Sequence, residues 1–219
     1  MSIFKRVRNS EFLKKKSTRI VGIILMVLLI LSSIFIYFNN KNVFRELFAP
    51  SITLVSPAPI KPSNRNEITV DVMVSDLPDN IYPAASLSIN FDKNKLDFIG
   101  VKQGTMMTLG DSTAQKKVYN IPIWKSDPAV SNKSGQINTM YLDMTGGKYA
   151  YTKEGFNKKE KNILLRLTFK LRDSVVSGEV YDLIIRDAII ATADNDIKKT
   201  SLASNNNTLK TYPAKIVVK

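Results

Sequence analysis

The 219-residue sequence contains no cysteine and no histidine. Without cysteine no disulfide can brace the chain, so its stability has to come from a packed core. Without histidine, Ser-His-Asp and Cys-His catalysis are excluded, and so are most zinc sites. The commonest general base at neutral pH is missing too. Carboxylates are present, but spacing sets no pair apart as a glycosidase acid and nucleophile. The chain therefore reads as a non-enzyme with no cofactor. Runs of basic residues interleaved with aromatics are also lacking, which argues against a nucleic-acid partner, although the formal net charge is +13.

What stands out instead is one long uncharged run, Ile20 to Phe38. As a helix it would rise about 1.5 Å per residue and reach ~28 Å, close to the hydrocarbon thickness of a bilayer. Lys5, Arg6, Arg8, Lys14, Lys15, Lys16 and Arg19 precede it against one acid, Glu11, so +6 of the net charge lies before the run. Bases stay on the cytoplasmic side. The expectation is a basic cytoplasmic stub over residues 1–19, touching anionic headgroups, then a transmembrane helix over 20–38. Everything from residue 39 onward is then extracellular. A cleaved signal peptide would need a shorter apolar core and a small-x-small site, and Asn39 to Ala49 offers none.

Residues 39–50 read as a juxtamembrane segment. Val43, Phe44, Leu47 and Phe48 fall on one helical face suited to the membrane interface, and Pro50 stops it. Beyond this point the pattern is all β. Ile68, Val70 and Val72 alternate with Thr69, Asp71 and Met73. Leu87, Ile89 and Phe91 alternate with Ser86, Ser88 and Asn90. Such alternation marks antiparallel strands with one buried face and one solvated face. Further strands are expected at Ser51–Val55, Leu96–Lys102, Val118–Trp124, Gln136–Met144, Asn162–Leu171, Val180–Ala188 and Ala214–Val218. Turn-rich stretches at Asp127–Gly135, Gly146–Lys161 and Asn205–Asn207 separate them. About nine strands at this spacing predict a β-sandwich over residues 51–219.

Three stretches carry a resemblance to a known family: SLSINFDKNKLDFIGVKQG (86–104), GQINTMYLD (135–143) and NILLRLTFKL (162–171). The first resembles a strand, an aromatic-Asp-x-x-x-Leu turn and an apolar strand ending near Gly. The second is similar to a Gly-x-Ile lead into a strand ending in Asp. The third is similar to a Leu-x-x-Leu-x-Phe-x-aliphatic strand. Together they resemble the cohesin domain, a nine-stranded jelly-roll sandwich that binds dockerin modules. The family's usual Pro after the turn Asp is Lys93 here, and its usual Gly before the third stretch is Asn162. The resemblance implies a protein partner of dockerin type, received on the sheet that holds Ser86, Ser88 and Asn90.

Other residues have two readings. Trp124 and Tyr141 could stack on a sugar ring, or fill the core or a sheet edge. Asp92, Asn94 and Asp97 sit where a calcium loop would begin, but an EF-hand needs Gly at its sixth position and Glu at its twelfth. Those positions hold Asp97 and Gln103, so a capped turn is the expectation. Asp194, Asn195 and Asp196 suit a hairpin turn equally well. The leading reading is a bacterial, membrane-anchored, extracytoplasmic protein-binding module. Its alternatives are a carbohydrate-binding or wall-associated module on the same sandwich, with polysaccharide as partner, and a structural subunit of an envelope complex.

Overall fold

The computed structural model describes residues 23, 25–36, 49–64, 66–112, 122–155, 162–193 and 201–219. The chain divides into two compact units, Met1–Leu47 and Phe48–Lys219. In the first, residues 25–36 are helical and their large apolar side chains are exposed all round. Among the described residues no helix is long and apolar enough to cross a membrane. The stub at 1–19, the ends of the expected span and the interfacial face at 43–48 lie outside the described residues.

The second unit holds β1 (Ser51–Val55), β2 (Ile68–Val74), β3 (Ala84–Asn90), β4 (Leu96–Gln103), β5 (Lys125–Ser126), a helix α1 (Pro128–Ser134), β6 (Gln136–Leu142), β7 (Ile163–Leu171), β8 (Val180–Ala191), β9 (Leu202–Ala203), β10 (Lys210–Tyr212) and β11 (Ala214–Val217). One sheet runs β10-β1-β2-β7-β4. The other runs β11-β8-β3-β6-β5, with β9 beside β8. Only β1–β2, β5–β6 and β8–β9 pair with their sequence neighbours. The other connections cross between the sheets. The result is the expected sandwich.

Alternation sorts the faces as the sequence predicts. Leu87, Ile89, Phe91, Leu96, Leu167 and Phe169 are all buried between the sheets. Phe91, Phe98 and Phe169 form a ring cluster at its centre, with centroids 5.5–6.3 Å apart. Two tight places explain sequence signals at the strand ends. A β-carbon at Gly104 would stand 1.8 Å from the Ile163 carbonyl oxygen, so only glycine lets β4 end against β7. The Asp92 carboxylate accepts the Asn94 amide at 2.9 Å and Leu96 N–H donates to the Asp92 carbonyl. The acidic stretch at 92–97 is thus a capped turn. Among the described residues no cluster of acids is placed to hold a metal, and Asp194–Asp196 lie outside them.

Three expectations change. The described strands number eleven rather than nine, because β5, β9 and β10 span two or three residues and are too short to show a period. The strand expected at 118–124 is not found where it can be seen: residues 118–121 lie outside the described residues, and Pro122 to Trp124 belong to no strand. Pro122 has no N–H to give a ladder. The turn-rich stretch 127–135 is helix α1. The Asp127 carboxylate caps it by accepting from Val130 N–H at 3.1 Å, Pro128 opens it, and Gly135 closes it at φ 79°. These are ordinary helix start and stop signals, muted by a length of two turns. From α1, Asn132 bonds both the N–H and the carbonyl of Phe98, at 2.8 and 2.9 Å. Its amide thus acts as a substitute strand along the free edge of β4.

Candidate functional site

Strand β3 lies in the middle of its sheet, between β8 and β6. Its outward residues are Ser86, Ser88 and Asn90, all half-buried. Register lines them up across three strands: Ser86 with Met140 and Ile189, Ser88 with Asn138 and Asp187, Asn90 with Gln136 and Ile184. The structure therefore brings together the three residues expected from sequence and adds β6 and β8 neighbours to them. Side chains this short on a central strand leave a low floor, with longer residues standing at either side.

The floor is organised by its own hydrogen bonds. Ser88 Oγ donates to Asn138 Oδ1 at 3.0 Å, and Gln136 Nε2 donates to both Ser88 Oγ and Asn138 Oδ1. Across the strand, Asp187 Oδ1 accepts from Ser204 Oγ and from Ala188 N–H. Rotamers tied down in this way lose little freedom when a partner binds, which lowers the entropic cost of association.

Apolar residues stand at both ends of the floor. Met140 and Leu142 of β6, with Ile123 and Met144 beyond them, border one hollow together with Pro122, Lys125 and Thr145. On β8, Val180 and Ile184 are exposed. Charges around the face are mixed: Lys125, Arg186 and Lys215 against Asp182 and Asp187, with Lys215 Nζ 3.8 Å from Asp182. Exposed aliphatics beside polar groups that still have hydrogen-bonding capacity is the make-up of a protein interface. Met140 and Leu142 were missed in the sequence reading. Their signal was present, since the outward positions of QINTMYL turn from polar to apolar partway along the strand.

The two rings expected to stack on sugar are elsewhere. Trp124 is 4% exposed and Tyr141 1%, so neither presents a face to a pyranose. They belong to a buried cluster in which Trp124 Nε1 donates to Tyr151 Oη at 3.1 Å, as does Gln103 Nε2 at 2.9 Å. Tyr141 Oη donates to the Tyr149 carbonyl, and the Tyr141 and Tyr151 rings are 4.8 Å apart. Polar tips satisfied in this way let large aromatics enter a core.

Far from this cluster, the Glu179 carboxylate ties the opposite end of the sandwich. It meets Lys95 Nζ at 2.7 Å and accepts from Tyr181 Oη and Val176 N–H. The Lys95 bond first, then the Tyr181 bond, holds its pKa down to about 2. Burial, followed by the bond to Glu179, pushes Tyr181 above the ordinary phenol range.

The profile of the cohesin domain family matches residues 64–210, more than half of the chain. This chain belongs to the cohesin domain family. Solved structures agree on the fold. The sixth cohesin of Acetivibrio cellulolyticus scaffoldin B, in complex with a Cel5 dockerin mutant, is 13% identical over 78% of this chain and 99% of its own, with TM-score 0.54. The cohesin of the Coh-OlpA–Doc918 complex from Clostridium thermocellum is 19% identical, with the same coverage and TM-score. The seventh ScaB type I cohesin of Pseudobacteroides cellulosolvens is 14% identical over 78% of this chain and 92% of its own, with TM-score 0.52. No curated protein sequence matches the chain. Cohesin domains are non-catalytic modules that bind dockerins. For this cohesin, the chemistry to be explained is therefore recognition of another protein.

Proposed function

We propose that this cohesin is held at a membrane by its N-terminal helix and receives a dockerin-type partner on the outer face of the β11-β8-β3-β6-β5 sheet. The observation that carries the docking reading is the three-strand floor of Ser86, Ser88, Asn90, Gln136 and Asn138 between Met140–Leu142 and Ile184. A pair of short helices can lie across such a floor. Its polar groups would meet Ser88 and Asn138, and its aliphatic side chains would fall on Met140, Leu142 and Ile184 at the two ends of the floor. Two of the solved cohesins above are complexes with dockerins, which supports a partner of that kind.

The anchor reading rests on the run Ile20–Phe38 and the bases before it. The described stretch 25–36 supports it. Apolar side chains cover the helix all round, which suits a helix with no aqueous side. Its only polar side chains, Ser32 and Ser33, return their hydroxyls to the Leu29 carbonyl at 2.9 and 2.8 Å. Hydroxyls satisfied by the helix itself are what a hydrocarbon surrounding requires. With the bases inside, the sandwich lies outside the cytoplasm. There the tether raises the effective concentration of the captured partner at the surface.

The docking face is tested by titrating purified dockerin modules against the detergent-solubilised chain in a calorimeter. Ser88→Arg places a bulky charge at the centre of the floor. Losing the two hydrogen bonds at Ser88 lowers stability by about 1 kcal/mol, whereas a clashing charge inside an interface removes several kcal/mol of affinity, roughly a hundredfold or more. Thr69→Arg, an equal charge on the exposed face of the other sheet, leaves affinity unchanged. Equal affinity of Ser88→Arg and wild type overturns the assignment.

A further inference from the structure

Ser51, the first residue of β1, is fastened to one end of the sandwich: its N–H donates to Ser75 Oγ at 2.8 Å, and its carbonyl accepts from Ser75 N–H at 2.9 Å. That end is built from the connections around residues 75–83, 104–112, 122–124 and 143–155. Hydrogen bonds knit them together, from Asp143 N–H to the Pro83 carbonyl and from Leu109 N–H to the Ala150 carbonyl. It also carries an unusual share of exposed aliphatic side chains: Ile81, Met107, Leu109, Ile123 and Met144, the last 86% exposed. Ile123 and Met144 border one hollow. Ile81 and Leu109 border a second. Between the two, a β-carbon at Gly147 would stand 3.6 Å from Ile81 Cγ2.

We propose that this rim is a lipid-contact surface, which rests its aliphatic side chains at the headgroup–acyl boundary of the bilayer that holds the N-terminal helix. The proposal depends on the anchor reading given above, and the chain itself supplies the reason for a lipid occupant. Residues 39–50 are the only tether between the expected span and Ser51, twelve residues in all. Fully extended they reach roughly 40 Å, and far less if any of them coil. Ser51 is where this tether enters the sandwich, so the end that holds it is kept within that reach of the bilayer. Exposed aliphatics at that location have an apolar phase within reach, and partitioning into it removes their surface from water. The described charges at this end sum to −2, Lys148 and Lys153 against Asp76, Asp79, Asp143 and Glu154. The contact is accordingly driven by apolar burial rather than by attraction to anionic lipid.

The absence of cysteine makes a direct test available. Met144→Cys in the full chain, labelled with a polarity-sensitive fluorophore, reports on the rim. Ser177→Cys, in the exposed turn before β8 at the opposite end, is the reference. Both are reconstituted into phosphatidylcholine–phosphatidylglycerol vesicles and washed at alkaline pH. The expected result is a chain retained in the vesicles, with the probe at position 144 blue-shifted and quenched by spin-labelled lipid and the probe at 177 reporting water. Adding Ile81→Glu and Met107→Glu returns the probe at 144 to water while the thermal melt is unchanged. A retained chain whose two probes report the same aqueous surroundings overturns the rim and leaves the anchor standing. So does a glutamate variant whose probe stays in lipid. Release of the chain by the alkaline wash overturns the anchor and the rim together.

Discussion

Phe169 and Lys170 are neighbours on β7 with opposite surroundings. Phe169 has no exposed surface and is packed edge-on against Phe91 at 5.7 Å and tilted against Phe98 at 5.5 Å. Lys170 points outward and is exposed. Phe169→Ala removes a whole ring from the junction of three strands, β2 through Ile68 and β4 through Phe98 among them. The backbone there is held by ladders on both sides, so the gap cannot collapse. The loss is about 3–5 kcal/mol, the transfer and cavity terms together. In a domain of this size each kcal/mol lowers Tm by about 2–4 °C, so the melt should fall by roughly 6–20 °C. Lys170→Ala should stay within about 0.5 kcal/mol. The single tryptophan, Trp124, is buried and hydrogen-bonded, and its fluorescence follows unfolding in urea without an added label. The slope of free energy against urea should be the same for all three proteins, which shows that stability and not compactness has changed. A one-residue slip of β7 would exchange the two residues between core and solvent. A loss under about 1 kcal/mol at position 169, or an equal loss at 170, would refute the register and the core derived from it.

Two further outcomes are expected. Because Glu179 titrates near 2 in the folded chain against an ordinary 4.5, the unfolded chain takes up protons first as pH falls. Its contribution to stability is then complete above about pH 4.5 and lost between there and pH 2; Glu179→Gln should flatten the acid limb of the stability curve in that window, and a limb as steep as wild type's would show that the Lys95–Glu179–Tyr181 tie does not govern it. In intact cells, external protease should remove the sandwich and spare an epitope placed before residue 20; recovery of a chain beginning between residues 39 and 51 would show that the N-terminal run is cut away and does not anchor.

Much of the sandwich could be read locally because a strand writes its burial into every second residue. Ile68–Val74 and Ala84–Asn90 declared their inward faces, and the structure buries the same residues, whereas Ile163–Leu171, in the middle of its sheet, is buried on both faces over most of its length. Gly104 was visible as the end of a strand, but the reason for it, a β7 carbonyl that leaves no room for a β-carbon, is a contact between residues about sixty positions apart. Helix α1 carried its Asp-Pro start and Gly stop in plain view and was still taken for a turn. A two-turn helix has too few residues for a period, and its importance lies in Asn132 reaching across to Phe98.

The docking floor divides in the same way. The sequence by itself placed Ser86, Ser88 and Asn90 on an outward face, because alternation is a property of one strand. Only the tertiary structure set Asn138 and Asp187 beside Ser88, and Met140 and Leu142 at the end of the floor, since pairing between distant strands is decided by the whole sandwich. Trp124 shows the limit most clearly. Trp124 alternates with Ile121 and Ile123 beside Pro122, a pattern apolar on both sides that does not say which way a ring points, and an indole can serve a surface or a core. Burial with the Tyr151 hydroxyl as partner decided it, and that partner is brought by a strand-like bridge to Tyr82, not by any neighbour in the chain.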